Sequence, residues 1–316
     1  MNAGVRRGSF QALEGVYLLD TLHEGRPGTI GVYLVPTVAD RFVLIEAGPG
    51  STFEAVVAAI RAAGYDPSEL AQVLVTHIHL DHAGAAGALA QLSGAEVVVH
   101  EAGARHLIDP SRLLASAGRL FGGSLDRLWG RMTPVPEARL RTVVGGETLQ
   151  LGEREIRVLY TPGHASHHVS YLLDSEILFS GDAAGIRLPG SAVVRPALLP
   201  PEVDLELYEA SLERLAEVDP VRLLLTHFGE VRAVEEHLAE VARQNRRWAA
   251  TILEGLERGE DEESLASRLR TLSAEDLAAA SPELVESYQA SSSAELTVLG
   301  LSRYWRQRRP DLAREG

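Results

Sequence analysis

The chain has 316 residues, of which 45% are hydrophobic and 23% charged, and its formal net charge at pH 7 is −14. These values are typical of a globular protein with a sizeable core, and the acidic charge argues against binding to nucleic acid. The absence of cysteine excludes disulfides, thiolate metal sites and cysteine nucleophiles, so any metal must be held by nitrogen and oxygen ligands.

The sequence carries no evident signal for a membrane. Residues 1–10 contain two arginines but lack the apolar stretch of a signal peptide. No segment approaches the roughly 18 consecutive apolar residues of a membrane span. We therefore expect a cytoplasmic protein that does not act on membranes.

The first hundred residues alternate between short apolar segments and turns, which predicts strands separated by loops and helices. The strand segments are residues 16–19, 29–35, 41–46, 71–76 and 95–100. The helical segments are residues 51–63 and 84–92. Residues 101–140 differ, because Leu and Arg recur there at helical spacing until Pro134 and Pro136, and we interpret them as a helical insertion.

Strand-like segments return in the second half and give way to helices. The strands are predicted at residues 155–160, 169–173, 177–179 and 222–226, with an amphipathic helix at 205–218. An apolar stripe then runs from Val234 to Ile252 at helical spacing. We predict a catalytic domain over residues 1–230 and a C-terminal helical subdomain over 231–316. The stripe could pack on the catalytic domain or on a second subunit, which leaves a homodimer open.

The strongest chemical signal is the run His77-Ile-His79-Leu-Asp81-His82, directly after an apolar strand. Three imidazoles and a carboxylate lie within six residues. Alternate side chains of a loop at a strand end can face one point, and the Asp-His pair can face a second. This donor set suits two adjacent divalent cations such as zinc.

Three later residues could complete such a site. His164 follows a strand and the turn-forming Pro162-Gly163, Asp182 lies between glycines after a strand, and His227 ends an apolar strand. A single His or Asp in such a place is usually a turn residue that bonds to backbone. Together with the early cluster, however, the three supply the ligands that two cations still require.

The order H-x-H-x-D-H, T-P-G-H, S-G-D and a final His resembles the metallo-β-lactamase superfamily, especially its glyoxalase II-like hydrolases. The resemblance covers residues 13–229. It implies an α+β fold, a four-layer αβ/βα sandwich, which the C-terminal helices extend. It also implies two ions, with zinc expected first and iron or manganese as alternatives. The implied ligands are His77, His79 and His164 for one ion, Asp81, His82 and His227 for the other, and Asp182 as the bridge.

Four further residues are candidates for supporting roles. Glu46 stands where members of the superfamily often have Asp, and His168 matches the second His of the T-P-G-H motif, so both are expected to orient ligands. His167 replaces a glycine of that motif and could reach the substrate or lie at the surface. His106 begins the helical insertion and could line the substrate pocket.

These residues predict a hydrolase of a small molecule. A hydroxide that bridges the two metals would cleave an ester, thioester or lactone bond, with Asp81 as the catalytic proton acceptor. A phosphodiesterase could use the same site. A second class, an iron-dependent sulfur dioxygenase, needs only one metal held by two His and an Asp. The complete set of seven ligands favours hydrolysis.

Overall fold

The computed structural model describes residues 9–38 and 40–312, and these residues divide into two compact units. The first unit extends to Tyr160 and includes Val169–Phe179, and the second contains Thr161–His168 and the chain from Ser180 onward. The domain boundary predicted near residue 230 stays a prediction.

The first unit is built on a sheet whose described strands follow chain order. They are β1 (Ser9–Leu13), β2 (Val16–Asp20), β3 (Gly31–Pro36), β4 (Phe42–Ile45), β5 (Leu70–Leu74), β6 (Glu96–His100) and β7 (Leu140–Val143). Strands β1 to β4 pair antiparallel, and β4 to β7 pair parallel. Parallel pairing brings the carboxyl ends of β4 and β5 to the same edge of the sheet.

Helices connect the parallel strands of this unit, as parallel pairing requires. They are α1 (Phe53–Ala62), α2 (Leu80–Ala83), α3 (Ala86–Ser93), α4 (Glu101–Ile108), α5 (Ser111–Phe121) and α6 (Leu125–Trp129). Apolar side chains of the sheet and of these helices form one buried core. The last three helices lie in the segment interpreted as a helical insertion.

A second sheet has the order β13-β12-β11-β10-β9-β8. Its strands are β8 (Thr148–Leu151), β9 (Arg154–Tyr160), β10 (Val169–Leu173), β11 (Ile177–Gly181), β12 (Arg222–Leu225) and β13 (Gly229–Val231). Within the first unit the two sheets meet through buried aromatic side chains. The Tyr33 and Phe179 rings lie edge to face at 5.3 Å, and the Tyr171 hydroxyl donates a hydrogen bond to the Val75 carbonyl.

The second unit is mostly helical. Its α-helices are α7 (Leu205–Glu217), α8 (Val234–Glu257), α9 (Glu262–Asp276), α10 (Pro282–Ser291) and α11 (Ala294–Arg308). Trp248 of α8 and Leu301 of α11 are buried among them. Two sheets with flanking helices and C-terminal helices confirm the predicted fold class. Within residues 9–38 and 40–312, every helix is too short or too polar to cross a membrane.

Four short strands depart from the sequence prediction, which did not assign β1, β7, β8 and β13. Two residues of β7 and two of β8 are exposed, and β13 has only three residues. Their apolar content is too low to mark them as strands. They form because neighbouring strands offer backbone partners, a tertiary effect that local sequence does not record.

Candidate metal centre

Histidine and aspartate side chains of the described residues form clusters able to hold a metal ion. Those of the first unit are His77, His79, Asp81 and His82, and those of the second unit are His164, Asp182 and His227. Each of these side chains offers one potential ligand atom. Every one of these residues is a ligand candidate from the sequence.

The early histidines occupy the turn between β5 and α2. His77 follows the strand by three residues, and Asp81 and His82 lie on the single turn of α2. The His77 Nε2 and His79 Nδ1 atoms are 3.0 Å apart, and the His82 Nε2 and Asp81 Oδ2 atoms are 3.5 Å apart. The strand end and the tight turn thus bring the four side chains of the motif together.

Glu46 supports this turn from the end of β4. Its buried carboxylate accepts hydrogen bonds from the Thr76 backbone N–H at 3.1 Å, from the Thr76 hydroxyl at 2.6 Å and from His82 Nδ1 at 2.8 Å. Glu46 also has a φ of 71°, in the left-handed region that favours glycine. Strained backbone of this kind concentrates at functional sites, where surrounding contacts maintain it.

Hydrogen bonds at Nδ1 fix the tautomers of three imidazoles. The single Thr76 hydroxyl proton goes to Glu46, so the His77 Nδ1–H must donate to Thr76 Oγ1 at 3.0 Å. His82 Nδ1–H donates to Glu46, and His164 Nδ1–H donates to the Ala197 carbonyl at 2.8 Å. The neutral tautomer of each of these rings therefore carries its lone pair on Nε2, the form that binds a cation.

A close backbone approach positions His164. Gly163, the preceding residue, has a φ of 130°, and a Cβ there would lie 2.3 Å from the Tyr208 Cα of α7. Only glycine permits this approach. The Ser211 hydroxyl of α7 also donates to the Pro162 carbonyl at 2.6 Å. Helix α7 thus holds the Pro162-Gly163 turn that delivers His164.

Asp182 directs its two carboxylate oxygens at two different histidines. The Oδ2 atom lies 3.4 Å from His164 Nε2, and the Oδ1 atom lies 3.4 Å from His227 Nε2. All three side chains are buried. A carboxylate with this orientation has the geometry of a ligand shared between two cations.

The donor set fits divalent cations. Nitrogen and oxygen ligands about 2.0–2.2 Å from a tetrahedral zinc ion lie about 3.4 Å from each other. The 3.4 Å and 3.5 Å separations above match that edge and exceed the usual 2.7–3.2 Å of a hydrogen bond. Moreover, the His164 Nε2 and the carboxylate oxygen opposite it both present lone pairs, which repel each other unless a proton or a cation lies between them.

Comparison with known proteins identifies the family. Residues 25–227 match the metallo-beta-lactamase superfamily. The chain belongs to that superfamily. The metallo-beta-lactamase fold-containing protein ST1585 of Sulfurisphaera tokodaii is 34% identical over 178 residues, which cover 55% of this chain and 67% of the relative. Its crystal structure superimposes with a TM-score of 0.61, at 29% identity over 73% of this chain and 85% of that chain.

Two further superfamily members show how far the similarity extends. A hydroxyacylglutathione hydrolase of Acidiphilium cryptum is 30% identical over 203 residues, 60% of this chain and 65% of the relative. The family protein TTHA1429 of Thermus thermophilus shares the fold with a TM-score of 0.67 over 94% of both chains, at 24% identity. The superfamily is metal-dependent, and the 316-residue chain, as a member of it, is a metallo-hydrolase.

The remaining candidate residues of the chain are His168, His167 and His106, and they occupy different environments. His168 accepts a hydrogen bond from the Asp182 backbone N–H at 3.1 Å and therefore donates through Nδ1 to the Thr161 hydroxyl oxygen at 2.9 Å. His167 is buried, which excludes the surface position considered from the sequence. His106 is half-buried on α4, where its Nε2 accepts a hydrogen bond from Arg105.

Sequence reasoning missed two residues near Asp182. The Tyr208 hydroxyl of α7 donates to the Asp182 carbonyl at 2.6 Å, and His237 Nε2 of α8 donates to the Ala184 carbonyl at 2.9 Å. In the sequence, Tyr208 has the spacing of an ordinary core residue on the apolar face of an amphipathic helix. His237 could have been found, because it lies three residues after Val234 and four before Val241, within the apolar stripe.

We expect Glu46→Gln to weaken the cation site of this superfamily member without unfolding it. A neutral amide holds the His82 Nδ1–H less strongly, so binding of the ion at His82 should weaken by about 10-fold to 100-fold. Competition between the protein and a zinc chelator measures this affinity. Glu96→Gln is the matched control, because Glu96 accepts a hydrogen bond from Gln72 of β5 and pairs with Arg141 of β7, and neither partner is a ligand candidate. Equal zinc affinity in Glu46→Gln and wild type would contradict the orienting role.

Proposed function

We propose that the chain hydrolyses an ester, thioester or lactone bond of a small molecule at a centre of two divalent cations. His77, His79 and His164 would hold one ion, and Asp81, His82 and His227 the other, with Asp182 between them. Zinc is the cation that best suits this set of imidazoles and carboxylates. The carrying observation is the orientation of Asp182, whose two oxygens each face a different imidazole at 3.4 Å.

The side chains divide the work of hydrolysis between them. Bound cations supply a water of lowered pKa and polarise the carbonyl oxygen of the substrate. Asp81 accepts the proton released during attack and passes it to the leaving group, which its partly exposed side chain allows. The Nδ1–H of each buried imidazole is held by a protein acceptor, which leaves Nε2 as the ring atom that can bind a cation. Neither a serine nor a cysteine nucleophile is required.

Thioesters are the first substrate class to test. The name of the Acidiphilium cryptum relative specifies hydrolysis of an acylated glutathione, which is a thioester. That relative is 30% identical over the aligned residues, which cover 65% of its length, so the screen should vary both the acyl and the thiol group of the thioester.

A substrate screen combined with metal analysis tests the proposal. We expect about two zinc ions per chain and hydrolysis of an acyl thioester or a lactone faster than that of bis-p-nitrophenyl phosphate. Removal of the metal with a chelator should abolish the activity, and added zinc should restore it. Faster cleavage of the phosphodiester would favour the phosphodiesterase alternative. One iron per chain with oxygen-dependent turnover of a persulfide would contradict hydrolysis and favour the dioxygenase.

A further inference from the structure

The turn that carries Asp182 has glycine at both ends. Residues 182–184 form one 3-10 turn, preceded by Gly181 with φ 53° and ψ −136° and followed by Gly185 with φ 66° and ψ −158°. Side chains other than glycine rarely adopt such backbone angles. Because glycine restricts the backbone little, the two glycines do not by themselves fix the position of the turn. Contacts from residues outside the turn must therefore hold the Asp182 carboxylate in place.

Side chains from three segments supply those contacts. His168 accepts from the Asp182 backbone N–H, Tyr208 of α7 donates to the Asp182 carbonyl at 2.6 Å, and His237 of α8 donates to the Ala184 carbonyl at 2.9 Å. All three side chains are buried. The turn is therefore fixed at its first N–H, at its first carbonyl and at its last carbonyl.

Helix α8 also packs directly against the end of the turn. A Cβ at Gly185 would lie 3.5 Å from a Val241 methyl group, and Val241 is one helical turn after His237. Burial lowers the pKa of His237 to about 4, so the ring is neutral near pH 7 and its single N–H lies on the Nε2 that faces Ala184.

We infer that Tyr208 and His237 are positioning residues that hold the Asp182 carboxylate where two cations can share it. The inference rests on the proposed role of Asp182 as the bridging ligand. His237 lies beyond residues 25–227, which match the superfamily. The C-terminal helix α8 is thus part of the metal centre's support as well as part of the helical core.

Four variants test the inference through zinc affinity, measured by chelator competition on folded full-length protein. His237→Leu removes the donor, and we expect the more weakly held zinc ion to bind about 10-fold to 100-fold less tightly. Tyr208→Phe removes only the hydroxyl and should weaken it by about 10-fold. His237→Gln places an amide N–H near the position of Nε2 and should restore most of the affinity. Gln244→Leu is the control, because Gln244 is buried on the same helix but donates to Glu240.

Kinetics on a thioester separate positioning from general stability. His237→Leu should lower kcat with little change in KM, and His237→Gln should recover kcat. A purely structural role would instead lower the melting temperature of His237→Leu, Gln244→Leu and Tyr208→Phe while leaving zinc affinity unchanged, and that result would overturn the inference. If wild type binds two zinc ions but cleaves no thioester, ester or lactone, the proposed function fails, and the zinc measurements still decide the inference.

Discussion

Replacing Asp182 with asparagine is expected to remove one of two zinc ions and to lower kcat/KM by at least about 10³-fold. An amide nitrogen cannot bind a cation, so the asparagine side chain would serve only one ion. Loss of several kcal/mol of transition-state stabilisation corresponds to at least this fall in rate. Metal content by mass spectrometry and steady-state kinetics on a thioester measure the two effects.

The same variant should not lose stability when the metal has been removed. A carboxylate oxygen of Asp182 lies 3.4 Å from His164 Nε2, and the lone pairs of these two atoms would repel each other in protein stripped of metal. The amide of Asp182→Asn can donate a hydrogen bond to a histidine there, which is worth about 1 kcal/mol. We therefore expect metal-free Asp182→Asn to unfold at an equal or higher temperature than metal-free wild type.

A matched control separates this effect from the general loss of a buried carboxylate. Asp20 is buried too, but its oxygens accept hydrogen bonds from the Leu22 and Gly28 backbone N–H groups. Asp20→Asn should destabilise the protein and leave its zinc content at two. If Asp182→Asn retained two zinc ions and wild-type kcat/KM, the bridging assignment would be wrong.

His79→Ala is the second change with a large expected effect. His79 offers a ligand atom 3.0 Å from His77 Nε2, and we expect its loss to reduce zinc content and to lower kcat/KM by at least about 10³-fold. The residue is only partly buried, so the variant should fold normally. Zinc content, kinetics and circular dichroism check these expectations.

His23→Ala provides the comparison for that variant. His23 is also half-buried, but it stacks on Trp129 at 5.2 Å and bonds to the Leu128 carbonyl. We expect His23→Ala to lower the stability of the protein somewhat and to preserve its turnover and zinc content. Equal activity in His79→Ala and His23→Ala would refute a role for His79 in binding the cation.

The sequence was sufficient for the buried strands and for the ligand candidates. Strands β3, β4 and β10 to β12 are short, mostly apolar and buried segments, a pattern typical of a strand inside a sheet. The run from His77 to His82 is informative because its spacing is rare and because it follows such a strand. Element boundaries were less accurate: the helix predicted from residue 51 begins at Phe53, after a 3-10 turn.

The support of the candidate site was harder to predict, for a physical reason. Tyr208 and His237 donate hydrogen bonds to the backbone carbonyls of Asp182 and Ala184. Every residue has such a carbonyl, so the residue types at these two positions do not indicate the contacts. The sequence spacing of Tyr208 and His237 from Asp182 is set by the lengths of the intervening segments. Glu46 was accessible only because its place after β4 is a recognised position of the superfamily motif.

The most direct test of the whole account is anomalous X-ray diffraction from crystals of the purified protein at the zinc, iron and manganese absorption edges. We predict two ions of about full occupancy, about 3.5–4 Å apart, each about 2.0–2.2 Å from its ligand atoms. The ligand atoms should belong to His77, His79, His164, Asp81, His82 and His227, with Asp182 bound to both ions. A single ion, or two ions bound to other side chains, would contradict the account.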